Sequence, residues 1–220
     1  MTFDLAIIGG GPAGTAAAIT AARSGGRVLL LERGRFPRHK VCGEFISPEG
    51  VALLEDLGLH DLVRRAPPIA RARIFAERSV AEASLFPAAA SVSRYELDHA
   101  LWRLAIAAGA DCRQQVEVRG ITGSGPFDLA TSVGAFRARA VINASGRWSN
   151  LRRRRLTQGP RKKWVGWKAH YREPGVVESV DLYFFADGYC GVQPLGDGCV
   201  NVCAMVRAAG AASIDRKSVV

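Results

Sequence analysis

The sequence lacks the features of disulfide-rich, metal-binding and membrane-spanning proteins. Its five cysteines, an odd number, are widely spaced and form no C-x-x-C pair, which argues against a disulfide framework and a zinc site. No apolar run reaches the ~20 residues of a membrane-spanning helix. No basic segment precedes the first strand-like run, as a signal peptide would require. We therefore expect reduced thiols, no metal and a cytoplasmic protein, with at most peripheral contact with a membrane.

Acidic residues are also scarce, and the formal net charge is +10. Eight basic residues fall between Arg147 and Lys163, with only Trp148 among them. Nucleic-acid surfaces usually interleave basic and aromatic residues, and no RNA-binding signature accompanies this run. A solvated loop is the favoured interpretation. A nucleic-acid contact through residues 152–155 is the alternative.

The first 33 residues carry a dinucleotide-binding pattern. An apolar run at Phe3–Ile8 predicts a strand, and Pro12–Ala22 is rich in small helix formers. Between them, Gly9, Gly11 and Gly14 have the G-x-G-x-x-G spacing. The first glycine permits a tight turn, the second a close approach to a pyrophosphate, and the third close packing of the helix on the sheet.

A second apolar run at Arg27–Leu31 ends in Glu32, which follows Gly9 by 23 positions. A carboxylate at about this distance binds the ribose hydroxyls of an adenine nucleotide. The complete unit of strand, turn, helix, strand and acid is much more specific than the glycines alone. It predicts a βαβ unit that binds an adenine dinucleotide.

The following loop, residues 33–50, contains a polar cluster of Lys40, Cys42, Gly43 and Glu44. Loops at the carboxyl ends of parallel strands lie on the ligand side of the sheet, which favours a functional role. Ser47 then predicts an N-cap for a helix over residues 48–57.

The remainder predicts an amphipathic helix and two groups of strands. A hairpin is expected near 70–90, a helix from Ser93 to Gly109, and strands at Asp111–Val118 and Phe136–Asn143. Four strand-length segments separated by glycine turns follow, at Val165–Tyr171, Val180–Phe185, Tyr189–Gln193 and Cys199–Val206. The predicted fold is α/β: a Rossmann-like domain over 1–160, the hairpin being an excursion from it, then the start of an antiparallel substrate domain over 161–208.

Residues 209–220 fit no element. The last six, DRKSVV, are what one reading frame of a common sequencing adapter encodes, so we expect a gene fragment with an artefactual tail.

Four segments, in this order, resemble the FAD-dependent oxidoreductases of the geranylgeranyl-reductase type, within the para-hydroxybenzoate hydroxylase fold superfamily. P-x-x-K-x-C-G-E in the second is the most specific. The segments are the glycine motif, PRHKVCGEFISPEG at 37–50, SRYELDHALWRLA at 93–105 and ARAVINASGRWSNLRR at 138–153. The resemblance covers residues 1–208. It implies FAD as cofactor and NAD(P)H as a transient electron donor, because no second glycine motif occurs.

The resemblance also implies a set of FAD contacts. They fall into the pyrophosphate turn, the adenosine side, the loop near the flavin and the start of a helix, with Gln114 or Val116 as alternatives beside the adenine. The residues are Gly9, Gly11, Pro12, Ala13, Gly14, Glu32, Arg33, Lys40, Cys42, Gly43, Arg94, Gln114, Val116, Ala144 and Gly146. The sequence ends before the family's Gly-Asp segment, so the resemblance implies an incomplete flavin site.

The third sheet resembles the family's substrate domain over residues 181–205. Prenyl reductases usually have Trp where Gly191 stands and Phe where Gln193 stands. Flavin halogenases have W-x-W-x-I-P here, which Tyr189, Gly191 and Gln193 do not match. Candidate residues for the substrate pocket are Cys42, Glu44, Tyr189 and Gln193, with no acid–base role assigned to any.

The leading interpretation is a flavoenzyme that reduces a C=C bond of a hydrophobic small molecule. An aromatic-type monooxygenase is the alternative within the same class. A non-catalytic nucleotide-binding module is the alternative of another class. The substrate, the electron donor and the oligomeric state stay open at this point.

Overall fold

A computed structural model describes residues 1–147, 149, 151, 163–172 and 178–208. The helices are α1 (Pro12–Arg23), α2 (Pro48–Asp56), α3 (His60–Arg65) and α4 (Arg94–Ala107). The strands are β1 (Thr2–Ile8), β2 (Val28–Glu32), β3 (Phe45–Ile46), β4 (Pro68–Ala76), β5 (Ser79–Ser91), β6 (Asp111–Gln114), β7 (Val118–Thr122), β8 (Phe127–Thr131), β9 (Gly134–Asn143), β10 (Trp164–Arg172), β11 (Ser179–Phe185), β12 (Gly188–Gly196) and β13 (Cys199–Arg207).

The chain forms two compact units, each assembled from two separate stretches. The first comprises Met1–Arg38 and Tyr95–Thr157, and the second comprises His39–Arg94 and Gln158–Val220. This grouping differs from the linear division at residue 160, because the segment around the predicted hairpin belongs to the second unit. The basic segment 152–162 and the tail 209–220 lie outside the described residues.

The first unit contains the predicted βαβ core in a six-stranded sheet of order β6-β2-β1-β9-β8-β7. The first four strands are parallel, with β1 between β2 and β9. All five residues of β2 are buried, as expected for a strand covered on both faces. Ala18 and Ile19 of α1 are fully buried, so the small-residue face of this helix is its packed face.

Two details of the first unit differ from the sequence prediction. The single strand expected at Asp111–Val118 is two strands, β6 and β7, because Gln115 adopts a φ of 60° and interrupts the extended chain. β8, which was not predicted, pairs antiparallel with β7 and β9. The predicted helix from Ser93 is confirmed as α4, and its buried face includes Trp102 as well as Leu97 and Leu101.

The second unit contains a seven-stranded sheet of order β10-β13-β12-β11-β4-β5-β3. The four C-terminal strands are antiparallel to one another, as predicted. The predicted hairpin is confirmed as β4 and β5, but β4 pairs in parallel with β11. This sheet is therefore mixed, and the hairpin is part of it. Arg73 Nε donates to Asp181 at 2.7 Å across the parallel pair and a second bond joins the same groups.

The predicted start of α2 is confirmed, since the Ser47 side chain accepts a hydrogen bond from Gly50 N. Within the described residues, no helix is both long and apolar enough to cross a membrane.

Candidate functional site

The turn between β1 and α1 requires glycine at two of its positions. Gly9 has a φ of 106°, and a Cβ built on it would lie 2.5 Å from the Ala144 carbonyl oxygen. A Cβ on Gly14 would overlap the Gly9 carbonyl oxygen. The glycines therefore allow α1 to start directly above the end of the sheet, where Ala144 N donates to Ile8 O at 2.8 Å.

The N-terminus of α1 is open to an anion. Its N-cap is Gly11, which supplies no side-chain hydrogen bond, and no acidic residue occurs in the first turn. Pro12 occupies a first-turn position and Ala13 is exposed. Neither the cap nor the first turn of α1 therefore supplies a negative group to its N–H groups and to the positive end of its dipole, which suits the pyrophosphate of a dinucleotide.

Glu32 lies beside this turn and is only 7% exposed. Its Oε2 accepts from Gly10 N at 2.8 Å, and its Oε1 accepts from Gly34 N at 2.7 Å and from Arg38 at 2.9 Å. Burial raises the pKa of this carboxyl, but the two backbone N–H groups and the Arg38 charge outweigh it and the net pKa is lowered. A carboxylate has about four acceptor positions. Three are used here, which leaves one for a ribose hydroxyl.

Gln114 and Val116, the predicted alternatives beside the adenine, both have structural partners in the same unit. Gln114 Oε1 accepts from Phe36 N at 2.6 Å, and Val116 is buried with its N–H donating to Glu32 O. Arg33 is exposed, and so is Gly146 with a φ of 82°. These roles stay predictions. The glycine turn, the open helix terminus and the spare Glu32 position together fit an adenine dinucleotide.

In the second unit, Glu44 is the centre of a buried cluster of charges. Its side chain is 0% exposed, and that of Lys168, which is paired with Oε1, is 6% exposed. His170 Nε2 lies 2.9 Å from Oε2. Arg94 N donates to Oε1 at 2.6 Å. A buried carboxylate is expected to have such partners, because an unpaired buried charge is strongly destabilising.

The loop that ends at Glu44 is fixed to the sheet through its backbone. Asn201 is fully buried, and its Nδ2 donates to the carbonyls of Cys42 and Gly43 at 3.2 and 2.8 Å. Glu44 has a φ of 61°, which is uncommon for a residue other than glycine. Its N–H donates to Cys42 Sγ at 3.4 Å. The structure thus brings Arg94, another predicted residue, into contact with the loop that carries Cys42, Gly43 and Glu44.

A pocket of about 360 Å³ lies beside this cluster. It is lined by His39, Lys40, Val41, Lys168, Ala169 and His170.

The other two substrate-pocket candidates lie on β12 with different surroundings. Gln193 is 3% exposed and donates to Ser91 Oγ at 2.6 Å. Tyr189 is 37% exposed, with its ring 5.9 Å from that of Phe184. Gln193 is therefore committed to an internal contact, whereas Tyr189 is accessible. Their proposed roles at the substrate stay predictions.

The sequence interpretation missed Lys168, His170 and Arg38 as site residues. Lys168 and His170 are two positions apart on a predicted strand, so their side chains are on one face. Two polar residues on one face of an otherwise apolar strand were the available signal. Arg38 lies in a loop with several arginines, and nothing local distinguishes it.

Comparison with known proteins gives two matches to family models, both described as FAD dependent oxidoreductase. They cover residues 4–37 and 47–171. The second match covers more than half of the chain.

Two curated relatives match most of the chain. The menaquinone reductase of Mycolicibacterium smegmatis is 30% identical over 90% of this chain and 54% of its own length. The digeranylgeranylglycerophospholipid reductase 2 of Methanopyrus kandleri is 33% identical over 92% of this chain and 54% of its own length. The chain therefore spans about half the length of these relatives.

Among solved structures, the myxobacterial chondrochloren halogenase, described as FAD-dependent, superposes with a TM-score of 0.78. It is 27% identical and the match covers 98% of this chain and 55% of the halogenase. The α/β fold with two sheets is thus one that flavoproteins share.

Proposed function

The chain belongs to the FAD dependent oxidoreductase family, and we propose that it binds FAD and contributes to the reduction of a C=C bond in a hydrophobic small molecule. The carrying observation is that two curated relatives, each matching at least 90% of the chain, are both named as reductases. The name of the second specifies a phospholipid, which supports a lipid-type substrate. NAD(P)H is proposed as the electron donor.

The first unit would hold the adenosine half of the cofactor. The N–H groups at the start of α1 would bind the pyrophosphate and Glu32 would accept from a ribose hydroxyl, with Arg33, Gln114 or Val116, Ala144 and Gly146 as further contacts. Bound FAD would supply the hydride chemistry, which side chains cannot supply.

The second unit would contribute the loop through Gly43, whose Lys40 and Cys42 are proposed to contact the flavin, together with Arg94. Asn201 and Glu44 hold this loop in one conformation. The contacts of Asn201 and Glu44 fix the backbone at Cys42 and Gly43 and do not use the Cys42 thiol as a donor. The role proposed for Asn201 and Glu44 is therefore to position Cys42. Cys42, Glu44, Tyr189 and Gln193 remain the candidates for substrate contact.

FAD binding is tested by replacing Gly14 with Ala and titrating the protein with FAD by flavin fluorescence. The added Cβ overlaps the Gly9 carbonyl oxygen, so we expect affinity to fall roughly a hundredfold, or about 2.7 kcal/mol. Gly120→Ala in β7 is the matched control, since a Cβ there meets nothing within 4 Å. Equal FAD affinity in both variants would contradict the proposed cofactor site.

The reaction is tested by reducing the bound flavin anaerobically with NADPH or NADH and then adding one acceptor at a time. A reductase is reoxidised by an alkene-containing lipid without oxygen. A monooxygenase is reoxidised by oxygen and forms a hydroxylated product from an aromatic substrate, an outcome that the shared fold with a halogenase makes worth measuring. A protein that retains no flavin and binds nucleic acid in a salt-dependent manner would contradict both.

A further inference from the structure

The loop over residues 41–44 crosses one face of the sheet in the second unit, above β10 and β13. Side chains at alternate positions of a strand share a face, and so do directly paired residues of antiparallel strands. Three successive rows of residues across β10 and β13 therefore lie on the face that the loop covers. The rows are Gly166 with Met205, Lys168 with Cys203, and His170 with Asn201.

Two contacts place Cys42 over the middle row. A Cβ built on Gly166 would lie 3.1 Å from Val41 Cγ1, so Val41 lies above the first row. Asn201 Nδ2 donates to the carbonyls of Cys42 and of the next residue at 3.2 and 2.8 Å, so these carbonyls meet the third row. Neighbouring rows are about 6.6 Å apart, twice the rise per residue of a strand. Cys42, which directly follows Val41, is thus held over the row that contains Cys203.

The loop and the sheet are separated by about the length of one side chain. The Asn201 side chain alone spans the gap between the β13 backbone and the loop carbonyls. Two cysteine side chains joined by a disulfide span a similar gap, with Cα atoms about 4.4–6.8 Å apart. The spacing therefore suits a bond between Cys42 and Cys203.

The electrostatic surroundings of Cys203 also indicate that Cys42 is close. Burial raises the pKa of the Cys203 thiol, and among the neighbouring groups Cys42 raises it most. Lys168, the direct partner of Cys203 on β10, lowers it. Cys190 also raises this pKa, but it pairs with Ala204 and therefore faces the opposite side of the sheet.

The two thiols have different surroundings. Both are free and half-buried. Cys42 lies between Val41, which is 60% exposed, and Gly43, which is also exposed, so a small oxidant can reach it. Its Sγ is held by the hydrogen bond from Glu44 N. Cys203 lies within a strand, and its raised pKa keeps it protonated at neutral pH. Since the thiolate is the nucleophile, Cys42 is the thiol that reacts first.

We propose that Cys42 and Cys203 are a redox-active pair that hydrogen peroxide converts to a reversible disulfide. The Cys42 sulfur attacks one peroxide oxygen and the O–O bond breaks, which gives a sulfenic acid and water. The Cys203 sulfur then attacks the sulfenic sulfur, the S–O bond breaks, and the hydroxyl leaves with the Cys203 proton as a second water. Two thiols are oxidised by two electrons and one peroxide is reduced.

The first test is mass spectrometry of the chain, with and without FAD, after hydrogen peroxide treatment, alkylation of the remaining thiols and proteolysis. We expect one peptide pair, joined through Cys42 and Cys203, with three of the five cysteines alkylated. Dithiothreitol should restore alkylation of all five. Absence of this pair, or the same mixture of pairs as in a urea-unfolded sample, would overturn the proposal.

Serine variants separate the two roles with a change of one atom. Cys203→Ser should stop the reaction at the Cys42 sulfenic acid, which dimedone labels, and Cys42→Ser should abolish both the label and the disulfide. Cys190→Ser is the matched control, a half-buried thiol on the opposite face, and should leave the disulfide unchanged. Loss of the disulfide in Cys190→Ser, or no dimedone label on Cys42 in Cys203→Ser, would overturn the assignment.

The consequence for the flavin rests on the proposed function and is measured separately. The disulfide withdraws the Cys42 thiol from its proposed flavin contact, so reoxidation of the reduced flavin by an alkene-containing lipid should slow and recover with dithiothreitol. A disulfide that forms without slowing this step would count against the role proposed for Cys42 at the flavin. It would not count against the thiol pair, whose test uses no flavin.

Discussion

Two buried glutamates, one in each unit, are stabilised in contrasting ways. Glu32 accepts from two backbone N–H groups and from Arg38, whose side chain is 28% exposed. Glu44 accepts from one backbone N–H group and pairs with Lys168, whose side chain is almost fully buried. Glu32 is thus neutralised mainly by peptide dipoles and a cation that keeps contact with water. Glu44 depends on a cation that was itself removed from water.

Burial alone does not determine how strongly the loss of a charged partner destabilises the folded protein. When Glu32 loses its charge, Arg38 can be solvated. When Glu44 loses its charge, Lys168 is left as a buried cation beside a neutral group, and such a loss of one partner is strongly destabilising. The two glutamates should therefore respond differently to the same substitution.

The largest expected effect is that of Glu44→Gln. It should lower the free energy of unfolding by about 3–5 kcal/mol, because Lys168 loses its counter-charge. Urea denaturation followed by circular dichroism measures this. Adding Lys168→Met should restore much of the loss, since no buried charge then lacks a partner. A double variant as unstable as Glu44→Gln would show that the ion pair is not the cause.

Glu32→Gln should cost less, about 2 kcal/mol. The amide oxygen can still accept from Gly10 or Gly34, but the amide nitrogen meets the other N–H group, which is left unsatisfied. Adding Arg38→Met should change stability only slightly, because that cation is partly exposed. If Arg38→Met restored the stability of Glu32→Gln as strongly as Lys168→Met restores that of Glu44→Gln, the contrast between the two sites would be wrong.

The smallest expected effect is the pH dependence of the Glu32 contribution. The folded-state pKa of Glu32 lies below its ordinary value of 4.5, so the folded state favours the carboxylate. This contribution to stability is present above pH 4.5 and is lost as the pH falls through the folded-state pKa. The difference in unfolding free energy between the unsubstituted chain and Glu32→Gln should accordingly narrow between pH 7 and pH 3. A constant difference would contradict the lowered pKa.

The same contrast explains what could be predicted from sequence. Glu32 lies 22, 2 and 6 residues from its partners Gly10, Gly34 and Arg38. The spacing of a single βαβ unit therefore identified its neighbourhood. Glu44 lies 124 and 126 residues from Lys168 and His170, and no spacing rule connects them. The loop could be recognised as functional, but its partners depend on which strand of the second sheet packs against it.

Fold class and most strands followed from apolar periodicity, yet strand pairing across the chain did not. The hairpin β4–β5 was recognised as a hairpin, but its parallel pairing with β11 was not, because a local pattern contains no information on a partner 100 residues away. The division of Asp111–Val118 into two strands depends on the left-handed backbone conformation of Gln115. Glutamine rarely adopts this conformation, so its occurrence in the sequence does not predict a break in the strand.

The parallel pairing of β4 with β11 also has a consequence for synthesis on the ribosome. Arg73 of β4 and Asp181 of β11 are 108 residues apart. At a synthesis rate of about 5–20 residues per second, β11 is therefore completed roughly 5–20 s after β4. During that interval β4 presents an unpaired edge that includes the side chains of Ile74 and Phe75, the kind of edge on which nascent chains associate. The interval between the emergence of residue 76 and that of residue 185 is therefore the period in which this edge of β4 is open to association.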